Sequence, residues 1–456
     1  MSYIPKRKDE IKILFSIATP LTAAWIAEMA MFITDMIMVG KIGSKELAAV
    51  GLAGDWFWVL LLIGMGIISM VGVLAAQSLG ENNPRGATEA CEQGMIAASI
   101  TSIPVMLLVW YLGYFLQFAN QDPEVVGLID GYAKILTYSV FPALWWAVLR
   151  NYLTALNKAG VIGWITICAL VLNVGLNYTL IYGKFGFPKL GVNGAGIGTT
   201  IVTWLMFFTL VFFVLTLKSL KENKPKIFAP KINWLILKEI FQLGLPNSLT
   251  QVLIGSMFTV AAIIVGMISA AALAAQQIIY SVIYAALCAP LGLGEAVRVR
   301  VAYGAGKKSI ELSQQSANIA SFLAGLSTLG IAFLLWFFPE KLIGIFLDIN
   351  NSKNLEVINL SIKISLYAGF FLLIDGILIV IREAVRGFRD TRSPLWISIT
   401  GYWIVGMSTG VVLCIPLNYG PTGLWAGLVS GVIFANILMF WKFSSLIRKM
   451  KQSHFT

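Results

Sequence analysis

Histidine is almost absent from this chain: the single copy, His454, stands beside the C-terminus. That excludes paired-histidine zinc sites, histidine-based catalytic triads and histidine haem ligation. Cysteine is scarce too, and the four copies (Cys91, Cys168, Cys288, Cys414) lie in or beside apolar runs with no CxxC spacing. Neither a disulfide framework nor a zinc knuckle is indicated. No GxxxxGK[ST] phosphate loop occurs, so there is no sign of direct ATP use, and no HExxH or other catalytic cluster points to a membrane-embedded enzyme. Charge is the largest shortage. Only 12% of the 456 residues are Asp, Glu, Lys or Arg, whereas a soluble domain needs about a quarter.

Hydrophobic residues make up 58% of the chain and run in long blocks, such as Leu52–Leu79, Met95–Phe118, Val161–Ile181 and Ile197–Leu217. About 20 apolar residues cross the hydrocarbon core as a helix, whereas membrane β-strands need only about ten. The pattern predicts an all-α integral membrane protein with twelve spans, at 12–39, 53–79, 92–118, 131–156, 161–183, 194–217, 239–266, 278–305, 313–338, 361–387, 394–416 and 421–446. The first run begins near Ile11 and reaches Gly40 without a small-residue cleavage pattern, so it reads as a retained helix and not a signal peptide.

The net charge of +11 belongs to helix flanks and does not call for nucleic acid. One set of flanks holds Lys6, Arg7, Lys8, Arg85, Lys158, Lys218, Lys221, Lys224, Lys226, Lys231, Lys307, Lys308, Arg386, Arg389, Arg392, Arg448 and Lys449. The other holds only Lys41, Lys45, Lys184, Lys189, Lys341 and Lys353. Positive flanks stay inside, so both termini are expected in the cytoplasm.

A basic, proline-containing segment at 218–238 separates two halves, 1–217 and 239–456, that resemble each other. Pro20 and Pro246, Gly40 and Gly266, Gly66 and Gly292, Gly80 and Gly306, and Trp110 and Trp336 all stand 226 apart. Six spans per half make the repeat parallel, an arrangement suited to alternating access around a site at the interface.

The first half carries ITDMIMVGKIGSKELAAVGLA, AAQSLGENN, LRNYLTALNKAG and LNYTLIYGKFGFPKLGVNGAGIGTTI; the second carries ALAAQQI, PLGLGEAVRVRVAYGAG and VRGFRDTRSPLWISITGYW. These motifs resemble those of the multidrug and toxic compound extrusion (MATE) transporters, most closely the bacterial, NorM-like branch. The resemblance covers nearly the whole chain. It implies two six-helix bundles set as a V around a central cavity. It also implies expulsion of amphipathic, often cationic, small organic molecules in exchange for protons or sodium ions, by a monomer among membrane lipids and without a cofactor. A flippase for a lipid-linked precursor, in the same broad superfamily, is the alternative; several cavity arginines or lysines would favour it, whereas the mid-span charges here are mostly acidic.

A charge at the bilayer centre costs about 2.5–3.5 kcal/mol or more and needs a reason. Asp35 lies in the first span, and Asn177 and Asn173, one turn apart in the fifth, lie at matching depth. A carboxylate and two amides can hold a proton or a small cation. The resemblance makes Asp35 the acid protonated during transport and the two asparagines its polar neighbours. Glu28 is almost two turns before Asp35 on the same face. Like charges on one face favour carrying a proton, so Glu28 is either a second carrier, a contact for cationic substrate, or a buried acid with its own donor. The related transporters more often have an amide there. Asp375 stands mid-span in FLLIDGILIV and matches an acid that contributes to cation binding in some bacterial relatives. Sodium-coupled members add a second acid from the seventh span, where this chain has Ile254, with Gln251 the strong polar group nearby. That favours protons over sodium.

Glu295 and Arg298 are expected to pair as i,i+3 neighbours, and Arg150 and Arg382 to snorkel from helix ends. Trp25, Tyr138, Phe141, Trp145 and Trp146 are candidate cavity aromatics for organic cations, and Gln251 is a further cavity candidate. Pro20 is a candidate hinge of the first span.

Overall fold

The computed structural model describes residues 7–117, 122–217, 224–228, 230–349 and 351–453. Lys6, Lys218, Lys221, His454 and part of the 218–238 linker lie outside the described residues.

Twelve long helices follow one another: α1 Arg7–Gly40, α2 Ser44–Gly80, α3 Pro84–Trp110, α4 Pro123–Ala155, α5 Ala159–Tyr182, α6 Val192–Thr216, α7 Trp234–Gly266, α8 Ala270–Gly306, α9 Ile310–Phe337, α10 Leu355–Gly387, α11 Arg392–Cys414 and α12 Gly420–Ser453. Eleven expected spans fall on one of them to within two residues; the third, 92–118, overruns α3, because the chain turns at Tyr111 and restarts as the short helix Leu112–Gln117, and Phe118 lies outside the described residues. Eleven are long and apolar enough to cross a membrane; α4 has the length but carries Asp130, Lys134 and Arg150. Helix is the form that satisfies every backbone group within one segment, as hydrocarbon demands. The ends follow local chemistry. Asn83 accepts from the Gly86 amide at 2.9 Å with Pro84 in the first turn of α3, Ser269 accepts from Ala272 at 3.0 Å, and Gly183 closes α5 with a left-handed φ of 69°.

Two helices depart from regular form. A turn at Ser69 interrupts α2, where the Ser69 hydroxyl donates to the Gly66 carbonyl at 2.8 Å. In α11, residues Ile399–Met407 wind as a π-helix. Here α11 presses on α12 backbone to backbone: a Cβ added at Gly427 would lie 2.1 Å from the Gly410 nitrogen, just past that stretch, and one at Gly431 would lie 2.5 Å from the Gly401 oxygen within it. A side chain there has nowhere to go, and overpacking costs about 1–3 kcal/mol even where side chains can yield. Gly427→Val is therefore expected to lower the thermal midpoint of the purified protein sharply, as read by a melt in detergent, with Gly330→Val, where no atom lies within 4 Å, as the tolerant control.

The chain forms two compact units. One holds α1 as far as Thr22 together with the described residues from Leu249 on; the other holds Ala23–Ser248. The two division points, 22 and 248, are 226 apart, the spacing of the internal repeat. The sequence-level halves thus exchange their opening turns. The contacts that seat those turns repeat as well. In one unit Gly292 packs against Thr22, with a hypothetical Cβ 2.8 Å from the Thr22 nitrogen; in the other Gly66 packs against Ser248, at 2.9 Å from its nitrogen.

The opening turns of α1 carry a further anchor. Glu10 is fully buried and takes two hydrogen bonds from Arg300 of α8 (Nε to Oε1 2.9 Å, Nη2 to Oε2 2.6 Å) and one from the Ser316 hydroxyl of α9 at 2.6 Å.

Candidate functional site

Asp35 sits on the second half of α1, 7% exposed. Asn177 of α5 donates its amide to Asp35 Oδ1 at 2.5 Å, and Thr199 of α6 donates its hydroxyl to Oδ2 at 3.3 Å. Asn173, one turn earlier on α5, accepts from the same Asn177 amide at 3.3 Å. Both asparagines are buried to 1% exposure or less. Three helices therefore meet at one carboxylate, as the depths of Asp35, Asn173 and Asn177 in the sequence require. Gly198 makes the seat possible, because a Cβ there would lie 2.2 Å from Asn177 Oδ1.

The bonded partners of Asp35 among the described residues are neutral. A buried carboxylate without a cation is expensive, so a proton or a small cation is the natural complement. Asn177 Oδ1 is buried with no hydrogen-bond partner among the described residues. Together with Asp35, Asn173 Oδ1 and Thr199 Oγ1 it offers an all-oxygen set, the ligand type hard cations prefer.

Glu28 has its own donor. Arg150 of α4 reaches its Oε1 at 3.2 Å, and the guanidinium also lies over the Trp25 ring at 5.2 Å from the centroid. Of the readings open to Glu28, the paired buried acid has this contact behind it. The snorkelling expected of Arg150 and Arg382 is corrected by burial: they are 8% and 5% exposed, and their head groups bond inside the protein. A side chain with a carboxylate or phenol in reach has no need of the interface. Arg298 likewise donates across to Glu383 of α10 at 3.0 Å, a contact that sequence spacing could not reveal.

The candidate aromatics separate into clusters. Trp110 and Tyr138 meet edge to face at 6.5 Å, and Tyr138 is 57% exposed. Phe141, Trp145 and Phe207 stack at 4.4 and 5.1 Å, while Trp145 donates to the Ser99 hydroxyl at 3.0 Å and meets Phe228 of the linker. Trp25 packs on Trp58. Gln251 is half-buried on α7, and Trp146 is buried on α4. Pro20 lies inside a continuous α1, two residues before the point where that helix passes from one unit to the other.

Asp375, 5% exposed, accepts from the Tyr402 hydroxyl of α11 at 2.5 Å, and Arg382 Nη1 lies 3.4 Å from that hydroxyl. Sequence reasoning missed Tyr402 and Thr199. Thr199 was within reach, in the GAGIGTTI motif directly after the glycine that makes room for Asn177; Tyr402 gave no signal, because phenols are ordinary in membrane helices.

The profile of the MatE family matches residues 20–179 and again 246–412, two matches whose starts are 226 apart. Among curated proteins, the "Probable multidrug resistance protein NorM" of Rhizobium meliloti is 31% identical over 436 residues, covering 95% of this chain and 93% of that protein. Its namesake from Agrobacterium fabrum is 31% identical over 442 residues, covering 97% and 95%. Among solved structures, a MATE transporter in the bent conformation superposes with a TM-score of 0.89 at 19% identity over 99% of this chain and 98% of that one. The eukaryotic MATE transporter AtDTX14 gives 0.86 at 19% identity over 98% and 99%.

Proposed function

The chain belongs to the MatE family, and from that membership we propose that it exports amphipathic, often cationic, organic compounds across a bacterial cytoplasmic membrane in exchange for protons. It is a multi-pass membrane transporter and not an enzyme. The observation that carries the coupling reading is Asp35, a buried carboxylate whose bonded partners, Asn177 and Thr199, are neutral. Such a group alternates between a charge and a proton, or between two cations, without dismantling its surroundings. Proton uptake by Asp35 from the outside weakens its hold on a cationic substrate and releases it outward, after which the empty carrier resets. Bending of α1 at Pro20 accompanies the proton step. Protons are preferred to sodium because the second acid of the sodium-coupled pattern is Ile254 here. Asn173, Asn177 and Thr199 position the carboxylate; the rings of Tyr138, Phe141 and Trp145 are the proposed substrate contacts.

The basic flanks support cytoplasmic termini, and a monomer suffices for the cycle. The test is efflux of a fluorescent cationic dye from proteoliposomes holding the purified protein, under an imposed pH gradient and, separately, a sodium gradient. Dye movement driven by the pH gradient is expected. Drive by sodium alone would exchange the coupling ion, and no driven movement in either case would remove the exporter reading.

A further inference from the structure

Asp35 and Asp375 are the two deeply placed aspartates of the chain, yet their surroundings differ in charge. Asp35 meets an amide and a hydroxyl. Asp375 meets a phenol that is itself in contact with a guanidinium. Arg382 follows Asp375 by seven positions on α10, just under two helical turns, so the two share a face about 10 Å apart along the axis. Helical side chains lean toward the N-terminus, which sends the arginine back toward the aspartate. Tyr402, entering from α11 with 1% exposure, fills the remaining gap: its hydroxyl is 2.5 Å from Asp375 Oδ1 and 3.4 Å from Arg382 Nη1. It stands in the π-helical stretch Ile399–Met407, a rare form that is frequent at functional sites.

Glu383, next to Arg382, takes other cations: Arg298 of α8 donates to it at 3.0 Å, and Arg386 of its own helix donates too. Arg382 is the cation in contact with the phenol that bonds Asp375. A sodium ion arriving at Asp375 would meet that guanidinium in a medium that screens poorly.

We propose that Arg382, acting through Tyr402, is the built-in counter-cation of Asp375 and determines ion specificity by barring a transported sodium ion from the second half of the chain, so that cation loading is confined to Asp35. This rests on the exporter reading for its role in the cycle, but the ion-binding claim stands without it. Arg382 and Tyr402 are positioning residues: they set what Asp375 can hold.

Binding of radioactive sodium to the purified full-length protein tests the claim without drug or gradient. In Asp35→Asn protein with Arg382 intact, no saturable sodium site is expected. Adding Arg382→Gln is expected to create one, and adding Asp375→Asn to that protein is expected to remove it again. Arg382→Lys, which keeps the charge, is expected to stay without a site. Tyr402→Phe, which preserves the ring, serves where Arg382→Gln does not yield folded protein, with a weaker gain of binding expected. Saturable sodium binding by Asp35→Asn alone that is lost with Asp375→Asn would overturn the proposal. So would a folded Arg382→Gln protein, judged by its melt, that gains nothing. Dye efflux by wild type, run in parallel, reports on the exporter reading separately.

Discussion

Replacement of Asp35 by asparagine is expected to abolish driven export while leaving the protein folded. Asparagine matches aspartate in size; its Oδ1 can still accept from Asn177, which bonds Asp35 Oδ1 at 2.5 Å, and its amide nitrogen can donate to the Thr199 hydroxyl, which bonds Oδ2 at 3.3 Å. What it cannot do is change charge. Exchange of one proton for one monovalent cation moves no net charge, so its drive is the pH gradient; one pH unit is worth about 1.4 kcal/mol per proton, and 1.4 kcal/mol is tenfold in an equilibrium. Loss of the coupling step therefore takes the accumulation ratio in proteoliposomes from as much as about tenfold per pH unit to parity. The check is dye distribution at steady state, with the melting temperature measured on the same preparation. An Asp35→Asn protein that still concentrates dye would move coupling away from this carboxylate altogether.

The largest stability effect is expected at the other end of the same helix. Glu10 is fully buried and holds both arms of Arg300, with Ser316 as a third donor. Removing one member of such a pair leaves the other charged and buried, which costs about 3–5 kcal/mol, whereas replacing both by apolar groups of similar volume is often neutral. Glu10→Ala is expected to lower the thermal midpoint by several degrees, and Glu10→Leu with Arg300→Met to recover most of the loss. If the double variant melts as low as Glu10→Ala, the contribution of Glu10 lies in its packing and not in the charge it neutralises.

How legible the molecule was depends on the kind of contact. The helices were readable because long apolar runs leave the backbone no alternative in lipid; the turn at Tyr111 inside the expected span 92–118 was not, because the apolar run continues straight through it. Asp35, Asn173 and Asn177 were readable because depth along two helices can be counted in residues, and a carboxylate at depth needs polar company. The ion pairs were not. Arg150 with Glu28 is 122 residues apart, Arg300 with Glu10 is 290, and Arg298 with Glu383 is 85. Helix position offered Arg150 and Arg382 the interface; tertiary packing supplied partners that this rule could not see. The break at Ser69 and the π-helical stretch of α11 were equally silent, since each follows from how neighbouring helices press together.

The exchange of opening turns between the two units has a consequence for how the protein is made. Residues 7–22 are synthesised before the surfaces they belong with: Arg300, Ser316 and Gly292 follow only with α8 and α9. Until then that stretch, with the acid Glu10, waits for its neighbours, whereas the Ala23–Ser248 unit can close as soon as the start of α7 arrives. Domains generally fold as units during synthesis, N-terminal first. Here the order is inverted: residues 7–22 are made ahead of the Ala23–Ser248 unit yet locked after it, and a chain that stops after the start of α7 leaves them unseated and exposed to quality-control proteases.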